Sequence, residues 1–251
     1  MTIVHTLPGG ATLTDVGVPG ETAKPACIVL PGGGYAGWSD RAAEPVAEWL
    51  ESIGVRGFVL RYRVAPNLHP ASLDDTHTAI RLVRSSAAEW GVNPAVVGIM
   101  GFSAGGHLGS TASTHWTDRI ERPEFAVLVY SVINMRPPLA DPIVIVNLLG
   151  PDPDEALIDN LSNELQVTSE TPTTFLVHGV NDELVSVQNS LIYAKALSES
   201  HVPFELHCPQ DGPHGFVMGE PGTPTDWLPA GKVWILATIQ DILSKTAAQS
   251  S

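Results

Sequence analysis

Apolar positions along this chain fall into short continuous runs separated by longer amphipathic stretches. Ala26–Leu30, Val55–Leu60, Val96–Met100, Phe125–Val132, Thr173–His178 and Pro203–Cys208 have strand length and few polar interruptions, the pattern of strands covered on both faces. Between them Ala43–Ser52, Leu73–Trp90, Ala104–Thr114, Val187–Ser198 and Gly231–Ser244 read as helices. Within Leu73–Trp90 the set Ala79, Ile80, Leu82, Val83 and Ala87 recurs at helical spacing. Regular alternation of the two kinds predicts an α/β protein with a mostly parallel sheet and helices on both faces. No internal repeat or low-complexity linker interrupts it, so 1–251 reads as one unit.

One segment breaks the rhythm. Residues 134–172 contain Pro137, Pro138, Pro142, Pro151, Pro153 and Pro172, and the acids Asp141, Asp152, Asp154, Glu155, Asp159, Glu164 and Glu170. About forty residues without a clear strand exceed an ordinary connection. The segment is expected to form a short cap over the carboxyl edge of the sheet, where open α/β folds bind ligands.

The stretch Val96 to Gly106, V-V-G-I-M-G-F-S-A-G-G, carries the chemistry. A buried strand breaks into Gly101-Phe102-Ser103-Ala104-Gly105 and continues as a helix. Glycines flank the serine because strand and helix backbones nearly touch there, while the strained turn pushes the hydroxyl outward. This is the nucleophile elbow of an α/β-hydrolase fold.

A serine hydroxyl needs a base, the base an orienting acid, and the oxyanion amide donors. In this fold the chain order is serine, acid, histidine. Of nine histidines only His214 sits just after the last strand, in Asp211-Gly212-Pro213-His214-Gly215-Phe216, a tight loop able to hold an imidazole over the sheet edge. Asp182, just past Thr173–His178, is the preferred acid, with Glu183 as competitor. Amide donors are expected from Ala104 and from Gly33, Gly34 and Tyr35 of the loop Pro31-Gly32-Gly33-Gly34-Tyr35. A phosphate-cradling loop is the weaker reading, since there is no G-x-x-x-x-G-K-[ST] and no helix start with a lysine follows the glycines. Trp38 follows closely enough to line a substrate pocket. His107, one turn into the helix after Ser103, reads as a buried histidine bonded to a neighbouring loop.

Composition adds limits. The chain has 43% apolar and 16% charged residues and a formal charge of -14, which speaks for a real core and against nucleic acid or anionic membranes as partners. Cys27 and Cys208 sit in apolar runs and read as packing residues. No metal-ligand spacing is present, so neither metal nor organic cofactor is expected. Residues 1–8 carry no basic n-region or long apolar h-region, the pattern of a cytoplasmic protein.

Together, Pro31-Gly32-Gly33-Gly34-Tyr35, Arg61-Tyr62-Arg63-Val64-Ala65-Pro66, His69-Pro70, Gly101 through Leu108, His178 through Asp182 and Gly212 through Phe216 resemble the α/β-hydrolase fold serine esterases with a P-G-G-G-Y oxyanion loop. That group includes acetyl xylan esterases and other carbohydrate esterases. The resemblance runs from about Cys27 to Lys245 and puts Ser103, Asp182 and His214 on the group's triad. It implies a serine carboxylesterase acting on short acyl esters, acetyl groups on carbohydrate in particular, with a small ester or acetylated sugar as partner. An amidase or peptidase on the same site, or an inactive binding protein, are the rival readings. Thr78 stands where a basic residue is expected, Ser186 replaces a proline after the acid, and no basic residue precedes Asn147-Leu148-Leu149-Gly150.

Overall fold

A computed structural model describes residues 2–17 and 22–249. Residues 1, 18–21, 250 and 251, which the sequence reading includes in its 1–251 unit, lie outside that set. The strands are β1 (Ile3–Thr6), β2 (Thr12–Asp15), β3 (Lys24–Leu30), β4 (Arg56–Arg61), β5 (Val92–Phe102), β6 (Phe125–Val129), β7 (Thr173–Val177) and β8 (Phe204–His207). The helices are α1 (Glu44–Ser52), α2 (Ala71–Ser85), α3 (Ala87–Trp90), α4 (Ala104–Thr114), α5 (Pro142–Leu149), α6 (Glu155–Asn160), α7 (Gln188–Glu199) and α8 (Leu228–Gln249). Together the strands form one sheet of order β1-β2-β4-β3-β5-β6-β7-β8. β1, β2 and β4 pair antiparallel, and all pairings from β4 to β8 are parallel. This is the mostly parallel α/β sheet expected from the alternation and the α/β-hydrolase fold expected from the turn at Ser103.

Successive strand residues feed two cores, as a period of two requires. In β3, Ala26, Ile28 and Leu30 pack with Leu108, Ala112 and Leu197 on the face of α2, α4 and α7. Cys27 and Val29 pack with Val46, Leu50 and Ile235 on the face of α1 and α8. Both cores are contiguous clusters of buried apolar side chains, which explains why central strands read as unbroken apolar runs.

Several boundaries differ from expectation. Leu73–Trp90 is two helices, because the chain bends at Ser86 (φ -91°, ψ 7°) and ends on Gly91 in the left-handed region (φ 66°). The bend delivers Trp90 to Phe58 and His5, with ring centroids 5.6 Å and 4.4 Å away. The strand beginning at Phe125 stops at Val129, since Tyr130 takes φ +38° and turns the chain out of the sheet. Cys208 is exposed, not buried, because β8 is the edge strand and ends one residue earlier. Residues 134–172 hold no strand, as expected, but two helices, α5 and α6. Asp141 and Asp154 start them by accepting the amides of Ile143 (2.8 Å) and Leu157 (2.7 Å), and Pro142 occupies the first helical position, where no N–H is needed.

Candidate active site

β5 runs directly into α4 through Ser103, whose backbone stands at φ 54°, ψ -120°. The glycines that permit this are sterically required. A Cβ on Gly105 would lie 2.1 Å from the Leu30 carbonyl oxygen, and one on Gly101 would lie 2.3 Å from the Gly105 oxygen. Residues with side chains would push the elbow apart.

The three side chains picked out by chain order meet. His214 Nδ1 donates to Asp182 Oδ2 at 2.8 Å, and Ser103 Oγ lies 3.0 Å from His214 Nε2. With Nδ1 protonated, Nε2 is free to accept the serine proton, the tautomer a general base requires. Asp182 is the acid in contact; Glu183 takes no part in these bonds. The other oxygen of Asp182 accepts the amides of Leu184 and Val185, both at 2.9 Å. Burial alone would raise this carboxyl. The His178 and His214 rings and the Val185 amide outweigh it and hold the group well below the usual carboxylate range.

Neighbouring groups that sequence reasoning passed over fix this geometry. His178 Nε2 donates to the Val185 carbonyl at 2.8 Å and stands 3.5 Å from Asp182 Oδ2, while its Nδ1 meets Ser190 Oγ at 2.8 Å. It shapes the turn that carries the acid. The loops of Asp182 and His214 touch backbone to backbone: Asn181 Oδ1 accepts the Gly212 amide at 2.7 Å, and a Cβ on Gly179 would lie 1.8 Å from the Gly212 oxygen. The Tyr130 ring packs edge-on to His214, centroids 4.9 Å apart. The only signals for these in the sequence are the glycines of H-G-V-N-D and D-G-P-H-G.

Ser103 and His214 open into a cavity of about 380 Å³. Its walls are largely apolar: Phe102, Tyr130, Val132, Ile143, Val144, Leu184, Val185 and Val217. Ile143 and Val144 come from α5, so residues 134–172 do contribute wall to the site. Gly33 and Gly34 line the same cavity. Among the described residues, the amides of Gly33, Gly34, Tyr35 and Ala104 donate no backbone hydrogen bond. Ala104 directly follows Ser103 at the first turn of α4, where helix amides have no internal partner.

Tyr35, expected as an amide donor, keeps that amide free but turns its side chain away, and Trp38, the one expected lining side chain, lies elsewhere. Tyr35 has its side chain in the core, with its hydroxyl 2.7 Å from His107 Nδ1, and His107 Nε2 donates to the Leu161 carbonyl at 2.8 Å. Trp38 does not line the cavity at Ser103. The loop doubles back through Gly33 (φ +148°), with Ala36 and Ser39 amides donating to the Gly33 and Gly32 carbonyls, and this swings Trp38 away. Its indole donates to the Tyr62 carbonyl at 3.0 Å and borders a separate hollow of about 260 Å³ beside Gly9, Gly10 and Asn67.

A sequence model of the alpha/beta hydrolase fold matches residues 27–218. The chain belongs to the α/β-hydrolase fold family. Within it, the chain is 34% identical over 207 residues to an acetylxylan esterase of Xylanibacter ruminicola, covering 80% of this chain and 43% of that one. It is 30% identical over 222 residues to endo-1,4-beta-xylanase B of Butyrivibrio fibrisolvens, covering 82% and 35%. The chain thus spans less than half the length of these relatives. Among solved structures it is similar to an acetyl ester-xyloside bifunctional hydrolase from Caldicellulosiruptor lactoaceticus, with TM-score 0.86, 39% identity, and coverage of 92% of this chain and 89% of that one. A sugar hydrolase from Lactococcus lactis gives TM-score 0.83 at 28% identity, covering 96% and 100%.

Proposed function

We propose that this α/β-hydrolase is a serine carboxylesterase that removes short acyl groups, acetyl groups on carbohydrate foremost. The observation that carries the reading is the continuous relay Asp182–His214–Ser103, at 2.8 Å and 3.0 Å, opening into a mostly apolar cavity. His214 Nε2 takes the Ser103 proton as Oγ attacks the ester carbonyl. Negative charge then develops on the carbonyl oxygen, and the unpaired amides of Gly33, Gly34, Tyr35 and Ala104 are the donors at hand to stabilise it. Collapse of the intermediate expels the alcohol, which takes the proton from the imidazolium and leaves an acyl-Ser103. Water, deprotonated by the same imidazole, attacks the acyl-enzyme, and the proton returns to Ser103. Throughout, the Asp182 carboxylate keeps the ring oriented and stabilises its charged form. None of these steps calls on a metal or organic cofactor.

Substrate class rests on two supports. The relatives named for acetylxylan and acetyl ester hydrolysis supply the carbohydrate acetate. The cavity supplies the chain length: residues 134–172, read as a short cap, contribute one eight-residue apolar helix to its wall, too little to sheath a long acyl chain. Each methylene left in water forfeits about 0.8 kcal/mol of transfer energy. The test is a series of nitrophenyl esters of increasing acyl length, run beside acetylated xylo-oligosaccharides. The specificity constant should peak at acetyl to butyryl and be small by about ten carbons. A steady climb with length overturns the short-acyl reading, and no acetate release from any sugar removes its carbohydrate part.

A further inference from the structure

Arg41 is exposed and lines the same cavity as Ser103 and His214. Every other arginine of the chain has a carboxylate within 4 Å. Exposure does not explain the difference, since Arg119, with 63% of its side chain exposed, still holds Glu170 at 3.2 Å. Among the described residues Arg41 makes no ion pair or side-chain hydrogen bond, in a chain with 27 acidic and 13 basic residues. Its neighbour Asp40 is turned to Arg61, 3.3 Å away. The guanidinium is within electrostatic reach of the catalytic groups: burial pushes the Tyr130 phenol up, Arg41 pulls it back, and Tyr130 packs on His214.

Asp141 is the other charged side chain in the lining outside the triad. It is not paired with Arg41. One of its oxygens accepts the Ile143 amide at the start of α5, where unpaired helix amides offset its negative charge. The cavity therefore presents one unpaired positive fork in a largely apolar wall, shaped to meet two oxygens of an anion.

We propose that Arg41 selects esters whose alcohol portion carries a carboxylate. The inference rests on the esterase reading above. An acetyl group has no room for a charge, so the anion belongs to the leaving alcohol.

The experiment compares two acetyl esters of equal size, those of 4-hydroxybenzoate and 4-hydroxybenzamide, near neutral pH and low salt. The readout is the ratio of their specificity constants, in which the amount of folded enzyme cancels. Replacing Arg41 by Gln should lower the charged-to-neutral ratio by roughly fivefold to tenfold, the range of a charge-assisted pair that stays partly in water. Arg41→Lys should retain part of the preference, Asp141→Asn should increase it, and salt should erode it wherever a cation stays at position 41 but not in Arg41→Gln. A ratio indifferent to Arg41→Gln, or a variant that slows both esters equally, overturns the proposal and leaves the esterase standing. Failure of the wild type to cleave the neutral ester as well would remove the esterase reading, and this one with it.

Discussion

At the scale of single residues, Ser103 combines two demands that can be separated. Its Oγ is the proposed nucleophile, and its backbone sits at φ 54°, where a Cβ is disfavoured. Ser103→Ala should lower ester turnover by roughly three orders of magnitude or more, because loss of the nucleophile leaves only binding and amide donors. More than about a tenth of the wild-type rate in a nitrophenyl acetate assay would refute the assignment. Ser103→Gly is equally without Oγ but relieves the strain. Despite the extra freedom of an unfolded glycine, it should be more stable than the alanine variant by about 1 kcal/mol in urea unfolding. Equal stability would mean that the elbow carries no strain worth relieving.

At the scale of elements, the elbow works because β3 and α4 pass at backbone contact. Gly105→Ala sets a Cβ 2.1 Å from the Leu30 oxygen, which backbone cannot yield cheaply. It should cost roughly 2–4 kcal/mol of stability. Gly37→Ala meets nothing within 4 Å and should stay within about 0.5 kcal/mol; comparable losses for the two would show that helix–strand contact is not the cause. The same packing explains what the sequence revealed. β3 and β6 are buried throughout their length or nearly so, so their apolar runs stand out. β1 and β2 form one flank of the sheet with polar residues interspersed, and β1 is largely exposed, so no run marks them. α5 is apolar almost all round and lies between prolines and acids that read as loop. Ser103, Asp182 and His214 were legible because each follows a strand at the carboxyl edge, where chain order fixes proximity. Trp38 was not, since the direction of its loop hangs on Gly33 at φ +148°, which no neighbouring residue type announces.

At the scale of the whole molecule, two kinds of titration, of buried histidines and of the Asp182 carboxyl, tie stability to pH. His107 is fully buried and joins the loop after β3 to residues 134–172 through Tyr35 and Leu161. Burial lowers its pKa from 6.5 to about 4. The folded state thus keeps the ring neutral while the unfolded chain protonates it, so its contribution is complete above pH 6.5 and is lost as pH falls toward about 4. One pH unit of such a window is worth about 1.4 kcal/mol. His69 and His77 are also lowered, burial being the main cause, and they add to the same slope. Asp182 acts in a lower window. Its folded pKa is depressed, so its contribution is present above the ordinary carboxylate value of about 4 and fades only below it. Urea unfolding at intervals from pH 7 to pH 3 separates the groups. His107→Gln, which can still reach one of the two partners, should be less stable at pH 7 yet lose less on going to pH 4.5, narrowing its gap from the wild type by about 2 kcal/mol. Asp182→Asn should leave that interval unchanged and flatten the curve below pH 4. A His107→Gln curve parallel to the wild type down to pH 4.5 would mean that the ring is protonated in place or that its loop opens first, and the link between residues 134–172 and the loop after β3 would then be the weak joint of the fold.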